Sequence, residues 1–141
     1  GILGLCLDSK VFESWDDLAT AKIAVPRGST NDVFATEAYP DAEIVRFDQI
    51  ADAFTALKTG KVDVLLEEDT TVNDLAEKNE GLTVMPVEQQ RSSYLCMAIP
   101  RGDSIWMDYL NNFIRNGLYS GDFNEIYKTH FSHDLPSMLI Y

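Results

Sequence analysis

The 141-residue chain is 45% hydrophobic and 24% charged with five prolines, the composition of a folded domain with one substantial core and not of a disordered tail. Eleven Lys and Arg stand against twenty-three Asp and Glu, a net charge of −12, and the cations are scattered, so the basic stripe that a nucleic-acid partner requires is missing. No run approaches the roughly twenty apolar residues of a membrane-spanning helix.

The first residues, Gly1 to Lys10, have neither the basic start nor the cleavage signature of a secretory leader, and a strand-like opening at Gly1 points to a fragment or a processed product. Ile2 to Leu7 is a short apolar run expected to form a buried strand. Ser14 is expected to cap a short helix through Leu18, with Asp16 and Asp17 well placed against its positive end. Lys22 to Pro26 predicts a second strand, Arg27-Gly28-Ser29-Thr30 a tight loop, and Asn31 to Ala38 a helix. Glu43 to Phe47 returns as a strand. Asp48 then caps a helix whose Ile50, Ala53, Phe54 and Leu57 recur at helical spacing, and Gly60 stops it.

Val62 to Leu66 is the most apolar strand, with Glu67-Glu68-Asp69 at its carboxyl end and a helix from about Thr70 to Asn79 beyond. Leu82 to Val87 and Tyr94 to Ile99 read as extended, separated by the polar stretch Gln89 to Ser93. Asp103 or Ser104 caps a longer helix with Ile105, Trp106, Tyr109, Leu110, Phe113 and Ile114 on one face, ended by Gly117. Asp122 to Phe131 is the last predicted helix, with Phe123, Ile126, Tyr127 and Phe131 facing inward, and Leu135 to Tyr141 is an apolar tail without an assigned state. Strands and helices alternate from Lys22 to Val87, which predicts right-handed βαβ units: an α/β fold of three layers, a largely parallel sheet with helices on both faces. Ligands of such sheets sit outside the carboxyl ends of the strands, where Arg27 to Thr30 and Glu67 to Asp69 both fall.

Gly28-Ser29-Thr30 follows a strand and opens a helix, so its amides and hydroxyls are candidates to meet an anion. An N-cap with nothing bound explains the same residues. It is not a Walker loop, since no lysine follows. Glu68, at the same sheet edge, could accept an ammonium group; a solvated acidic helix start explains it as well. Together the two would grip an α-amino acid by both charged ends. His130 and His133, with Asp134, straddle a helix end and read as surface histidines, so no metal or cofactor is expected. Neither cysteine has a neighbouring His, no nucleophile elbow is present, and no catalytic residue is assigned. Cys6 and Cys96, each among apolar neighbours, read as two buried thiols. Tyr94, entering a strand after a polar loop, is a further site candidate.

The order of motifs resembles a known family. Trp15-Asp16-Asp17-Leu18, Lys22-Ile23-Ala24-Val25-Pro26-Arg27-Gly28-Ser29-Thr30, Tyr39-Pro40-Asp41-Ala42-Glu43-Ile44-Val45-Arg46-Phe47, Ala53 to Val64, Tyr94 to Asp103 and Gly117 to Phe131 are similar to the second lobe and closing segment of the polar amino-acid-binding proteins of bacterial ABC importers. Those proteins have the type II periplasmic binding fold, two α/β lobes joined by crossover strands. The resemblance implies residues 1–10 as the outgoing crossover strand, 11–93 as the second lobe, and 94–141 as the return crossover with helices that dock on a first lobe mostly missing here. It implies that Gly28, Ser29 and Thr30 hold the ligand carboxylate and that Glu68, where the family usually has aspartate, takes the ammonium. Arg27 would approach a ligand side chain, an acidic one. The implied function is capture of a polar L-amino acid between two lobes, outside the cytoplasm, for an ABC permease, with no bond made or broken. An amino-acid-sensing domain of a membrane receptor or kinase, and a cyclohexadienyl dehydratase with Glu68 as general acid, are the alternatives. The helix face from Ser104 onward, deprived of its first lobe, predicts a homodimer or larger species.

Overall fold

A computed structural model describes residues 1–92, 96–132 and 134–135, and these fall into two compact units, Gly1–Ser93 and Tyr94–Tyr141. In the first unit, five strands, β1 (Ile2–Leu7), β2 (Lys22–Pro26), β3 (Glu43–Phe47), β4 (Val64–Glu68) and β5 (Leu82–Val84), form one sheet in the order β3-β2-β4-β1-β5. β2 runs parallel to β3 and β4, whereas β1 runs antiparallel to both β4 and β5. The largely parallel sheet expected from the alternation is therefore interrupted by one reversed strand.

Period-two patterning decides which side chains each layer receives. Ile23 and Val25 of β2, Val64 and Leu66 of β4, and Ile2 and Cys6 of β1 pack on one face with Leu18, Phe34 and Met85. Ala24, Leu65 and Leu5 point to the other face, against Ala53, Leu57 and Val72. The first face is covered by helix α1 (Thr30–Ala38) and a short 3₁₀ helix (Asp16–Thr20), the second by α2 (Ile50–Lys58) and α3 (Asp69–Lys78). Each fully buried Ile or Leu contributes about 1.5–3 kcal/mol relative to exposure. Gly4 is required by close packing: a Cβ there would collide with the Met85 side chain and lie 3.0 Å from Val64 Cγ2.

Several boundaries differ from the sequence reading. β4 extends to Glu68, so Glu67 and Glu68 lie in the strand and not after it. β5 stops at Val84 because Pro86, without an N–H, turns the chain. Ser14 does not cap its helix; instead the Asp17 carboxylate accepts the N–H groups of Glu13 and Ser14 at 3.2 and 2.9 Å. Gln49, not Asp48, precedes α2, and Asp48 pairs with Arg27.

The second unit consists of helices α4 (Ser104–Ser120) and α5 (Asp122–Phe131). Asp103 caps α4 by accepting Trp106 N–H at 3.0 Å. Gly117 does not end α4 but lies inside it, against the Phe123 ring, and Gly121 at φ 85° makes the stop. Ile105 and Tyr109 are 84% and 60% exposed, and Ile126 of α5, expected inward, is 56% exposed. Residues 96–100 are described and form no strand, contrary to the extended reading of that stretch, while Tyr94 and Leu95 lie outside the described residues, as do His133 and residues 136–141. Both cysteines are free thiols: Cys6 is buried as expected, but Cys96 is exposed. Among the described residues no helix is long and apolar enough to cross a membrane.

Candidate functional site

The turn after β2 is built from its own residues. Gly28 adopts φ +69°, a conformation that costs glycine little, and opens the way into α1. Ser29 is the N-cap: its Oγ accepts Asp32 N–H at 3.2 Å and donates to the Pro26 carbonyl at 2.8 Å. The Asp32 carboxylate reaches back to accept Gly28 N–H at 2.9 Å, the Thr36 hydroxyl at 3.2 Å, and Arg46 Nε on both oxygens at 2.9 and 3.1 Å. Burial raises the pKa of this carboxyl, but Gly28, Arg46 and Thr36 together outweigh it and hold the group below the usual aspartate range.

This network engages two of the groups expected to face an anion. The Gly28 amide and the Ser29 hydroxyl are engaged within the loop, whereas the Thr30 and Asn31 N–H groups and the Thr30 hydroxyl have no hydrogen-bond partner among the described residues. These are aligned with the positive end of α1.

The end of β4 lies beside this mouth. Asn31, only 2% exposed, donates from Nδ2 to Glu67 Oε1 at 3.1 Å, and the same oxygen accepts Glu68 N–H at 2.9 Å. The first turn of α1 is thus tied to the backbone that carries Glu68. The Glu68 side chain is half-exposed, with Oε2 3.5 Å from the Gly1 nitrogen.

A groove of about 330 Å³ is lined by Ile2, Gly28, Ser29, Thr30, Val33, Glu68 and Arg91. Four of the predicted site residues, Gly28, Ser29, Thr30 and Glu68, therefore share one lining. Arg27 does not join them: its Nε donates to Asp48 at 2.8 Å and its Nη2 to the Arg46 carbonyl at 3.3 Å. Tyr94 lies outside the described residues. Arg91 was not a sequence candidate; it sits in a polar stretch without periodicity, and only its left-handed backbone, φ 45°, sets it apart. A second concavity of about 670 Å³ runs along α4 past Asn111, Arg115 and Tyr119 and contains none of the candidates.

An acid and a helix mouth line one groove at the carboxyl edge of a mixed α/β sheet, and the architecture is that of the type II periplasmic binding proteins. The arginine-, lysine-, histidine-binding protein ArtJ of Geobacillus stearothermophilus superposes with a TM-score of 0.83 at 22% identity, covering 98% of this chain and 62% of that one. An ancestral amino-acid-binding protein, a precursor of cyclohexadienyl dehydratase, gives 0.81 at 24% identity, covering 93% and 57%. In sequence, the chain is a relative of the amino-acid-binding proteins of ABC transporters. It is 28% identical over 116 residues to the ABC transporter glutamine-binding protein GlnH of Bacillus subtilis, covering 81% of this chain and 41% of that protein. It is 23% identical over 119 residues to the ABC transporter arginine-binding protein 1 of Escherichia coli, covering 82% and 49%. The chain thus spans about half the length of these relatives. No model of a known protein family matches it.

Proposed function

We propose that this chain is the second lobe and closing segment of an extracytoplasmic solute-binding protein that captures an amino acid between two lobes and presents it to an ABC permease. Residues 1–10 form the outgoing crossover, 11–93 the second lobe, and 94–141 the return crossover with helices that dock on the first lobe. The observation that carries this reading is the shared lining of the groove by the open helix mouth at Thr30 and by Glu68. The Thr30 and Asn31 N–H groups and the Thr30 hydroxyl take the α-carboxylate, with the helix dipole favouring the negative charge. Glu68 takes the α-ammonium in a charge-assisted hydrogen bond. Gly28 and Ser29 contribute shape and position to the loop. Binding draws the two lobes together, and the permease reads the closed form.

The two curated relatives are named as amino-acid-binding proteins, which supports binding over catalysis. The test is a thermal-shift screen of the parent polypeptide, first lobe included, against the common amino acids. A ligand at one hundred times its Kd stabilises by about 2.7 kcal/mol, a readily measured rise in Tm. No rise with any amino acid would contradict the reading.

A further inference from the structure

We propose that Arg91 makes this groove selective for an amino acid whose side chain ends in a hydrogen-bond acceptor, glutamate above all and glutamine next, and that it rejects cationic side chains. The inference rests on the amino-acid reading above and adds the substrate class.

The backbone around Arg91 is fixed by the sheet. Ile2 pairs with Glu68 on one side and bridges to Gln90 on the other, with Ile2 N–H donating to the Gln90 carbonyl at 2.7 Å and Gln90 N–H to the Ile2 carbonyl at 2.9 Å. Glu68 and Gln90 thus stand two strand spacings apart, about 10 Å between backbones, with Ile2 between them. Arg91 follows immediately, in a left-handed conformation that non-glycine residues adopt rarely and that turns the chain toward α1. Its guanidinium lies over the Phe34 ring, 5.7 Å from the centroid, and Nη2 meets Glu37 at 2.6 Å.

One edge of the guanidinium is therefore held, while Nε and Nη1 carry no protein hydrogen bond among the described residues. Arg91 lines the same groove as Thr30 and Glu68, and the lining that remains includes the apolar Ile2 and Val33. An amino acid whose two charged ends are met at Thr30 and Glu68 can run its side chain along this lining, methylenes against Val33 and terminus toward Arg91. A carboxylate there meets a planar donor fork suited to it, and an amide offers one carbonyl oxygen. An ammonium or guanidinium meets a like charge. Arg27, the residue expected from sequence to meet an acidic side chain, is occupied by Asp48, and Arg91 takes that place.

The test is titration of the ¹⁵N-labelled parent polypeptide, first lobe included, with glutamate, glutamine, lysine and arginine, followed at the groove amides, for the wild type, Arg91→Gln and Glu68→Gln. Glutamate should bind roughly tenfold more tightly than lysine to the wild type, a difference of about 1.4 kcal/mol. Arg91→Gln should bring the two within about threefold of each other, and Glu68→Gln should weaken all four ligands while preserving their order, as loss of a shared ammonium contact requires. Lysine or arginine binding the wild type as tightly as glutamate, or a preference that survives Arg91→Gln, overturns the inference and leaves the amino-acid reading intact. No response of the groove amides of the two-lobed parent to any of the four overturns both.

Discussion

Asp32 is the residue through which the loop can be tested most sharply. Its carboxylate joins Gly28 N–H, the Thr36 hydroxyl and Arg46, with its side chain 11% exposed and that of Arg46 35% exposed. Asp32→Ala removes all of these. A hydrogen bond to a charged group contributes about 1.5–3 kcal/mol, and a carboxylate in the first turn of a helix adds about 0.3–1 kcal/mol. The Arg46 pair counts for little of its own, since its guanidinium is a third exposed to solvent. The expected loss is about 3 kcal/mol, a fall in Tm of roughly 10 °C or more for a domain of this size. The pH dependence has a definite sign. Because the folded-state pKa is lowered, the stabilisation is fully present above the ordinary aspartate value near 3.8 and disappears as pH falls through the lower folded value. Urea unfolding of wild type and variant, followed by circular dichroism, should therefore show a constant gap from neutral pH down to about pH 5, closing below about pH 4. A gap under about 0.5 kcal/mol at neutral pH, or one that widens on acidification, would refute this role.

Gly117→Ala places a Cβ 2.5–2.8 Å from three carbons of the Phe123 ring, so the ring or the helix pair must shift; the expected cost is about 1–3 kcal/mol, and unchanged thermal unfolding of the variant would contradict it. Burial pushes the Cys6 thiol up to about 11, whereas Cys96 is exposed, so a disulfide reagent at mildly alkaline pH should titrate one thiol in the native chain and two in denaturant. Two native equivalents would mean that Cys6 is accessible. Ile105, Trp106, Tyr109 and Phe113 leave an exposed apolar face on α4, and light scattering should find concentration-dependent association that Ile105→Glu reduces. A monomer at all concentrations counts against it.

The apolar runs of β2 and β4, buried on both faces, and the glycine-hydroxyl turn before α1 are legible in the residues themselves, because each local choice agrees with the layer it enters. The reversed direction of β1 is not, since a short apolar run looks alike whichever way it pairs. Gly28 reads as an amide donor to a ligand, but the Asp32 carboxylate, four residues on, accepts that N–H. Asn31 reads as an ordinary polar helix residue, yet it is buried and steers Glu67. Arg91 left no trace because nothing in the polar stretch Gln89 to Ser93 foretells where a guanidinium lands once Gln90 is bridged to Ile2.

The most direct measurement compares, by ¹⁵N NMR titration of the parent polypeptide, first lobe included, an L-amino acid with its methyl ester and its N-acetyl derivative. If one zwitterion spans the groove, the free amino acid shifts the amides of Thr30 and Glu68 along one saturating curve. The ester should lose chiefly the Thr30 response, and the N-acetyl form chiefly that of Glu68. Equal binding of all three, or two residues that titrate with unrelated affinities, would show that no single molecule bridges the two groups.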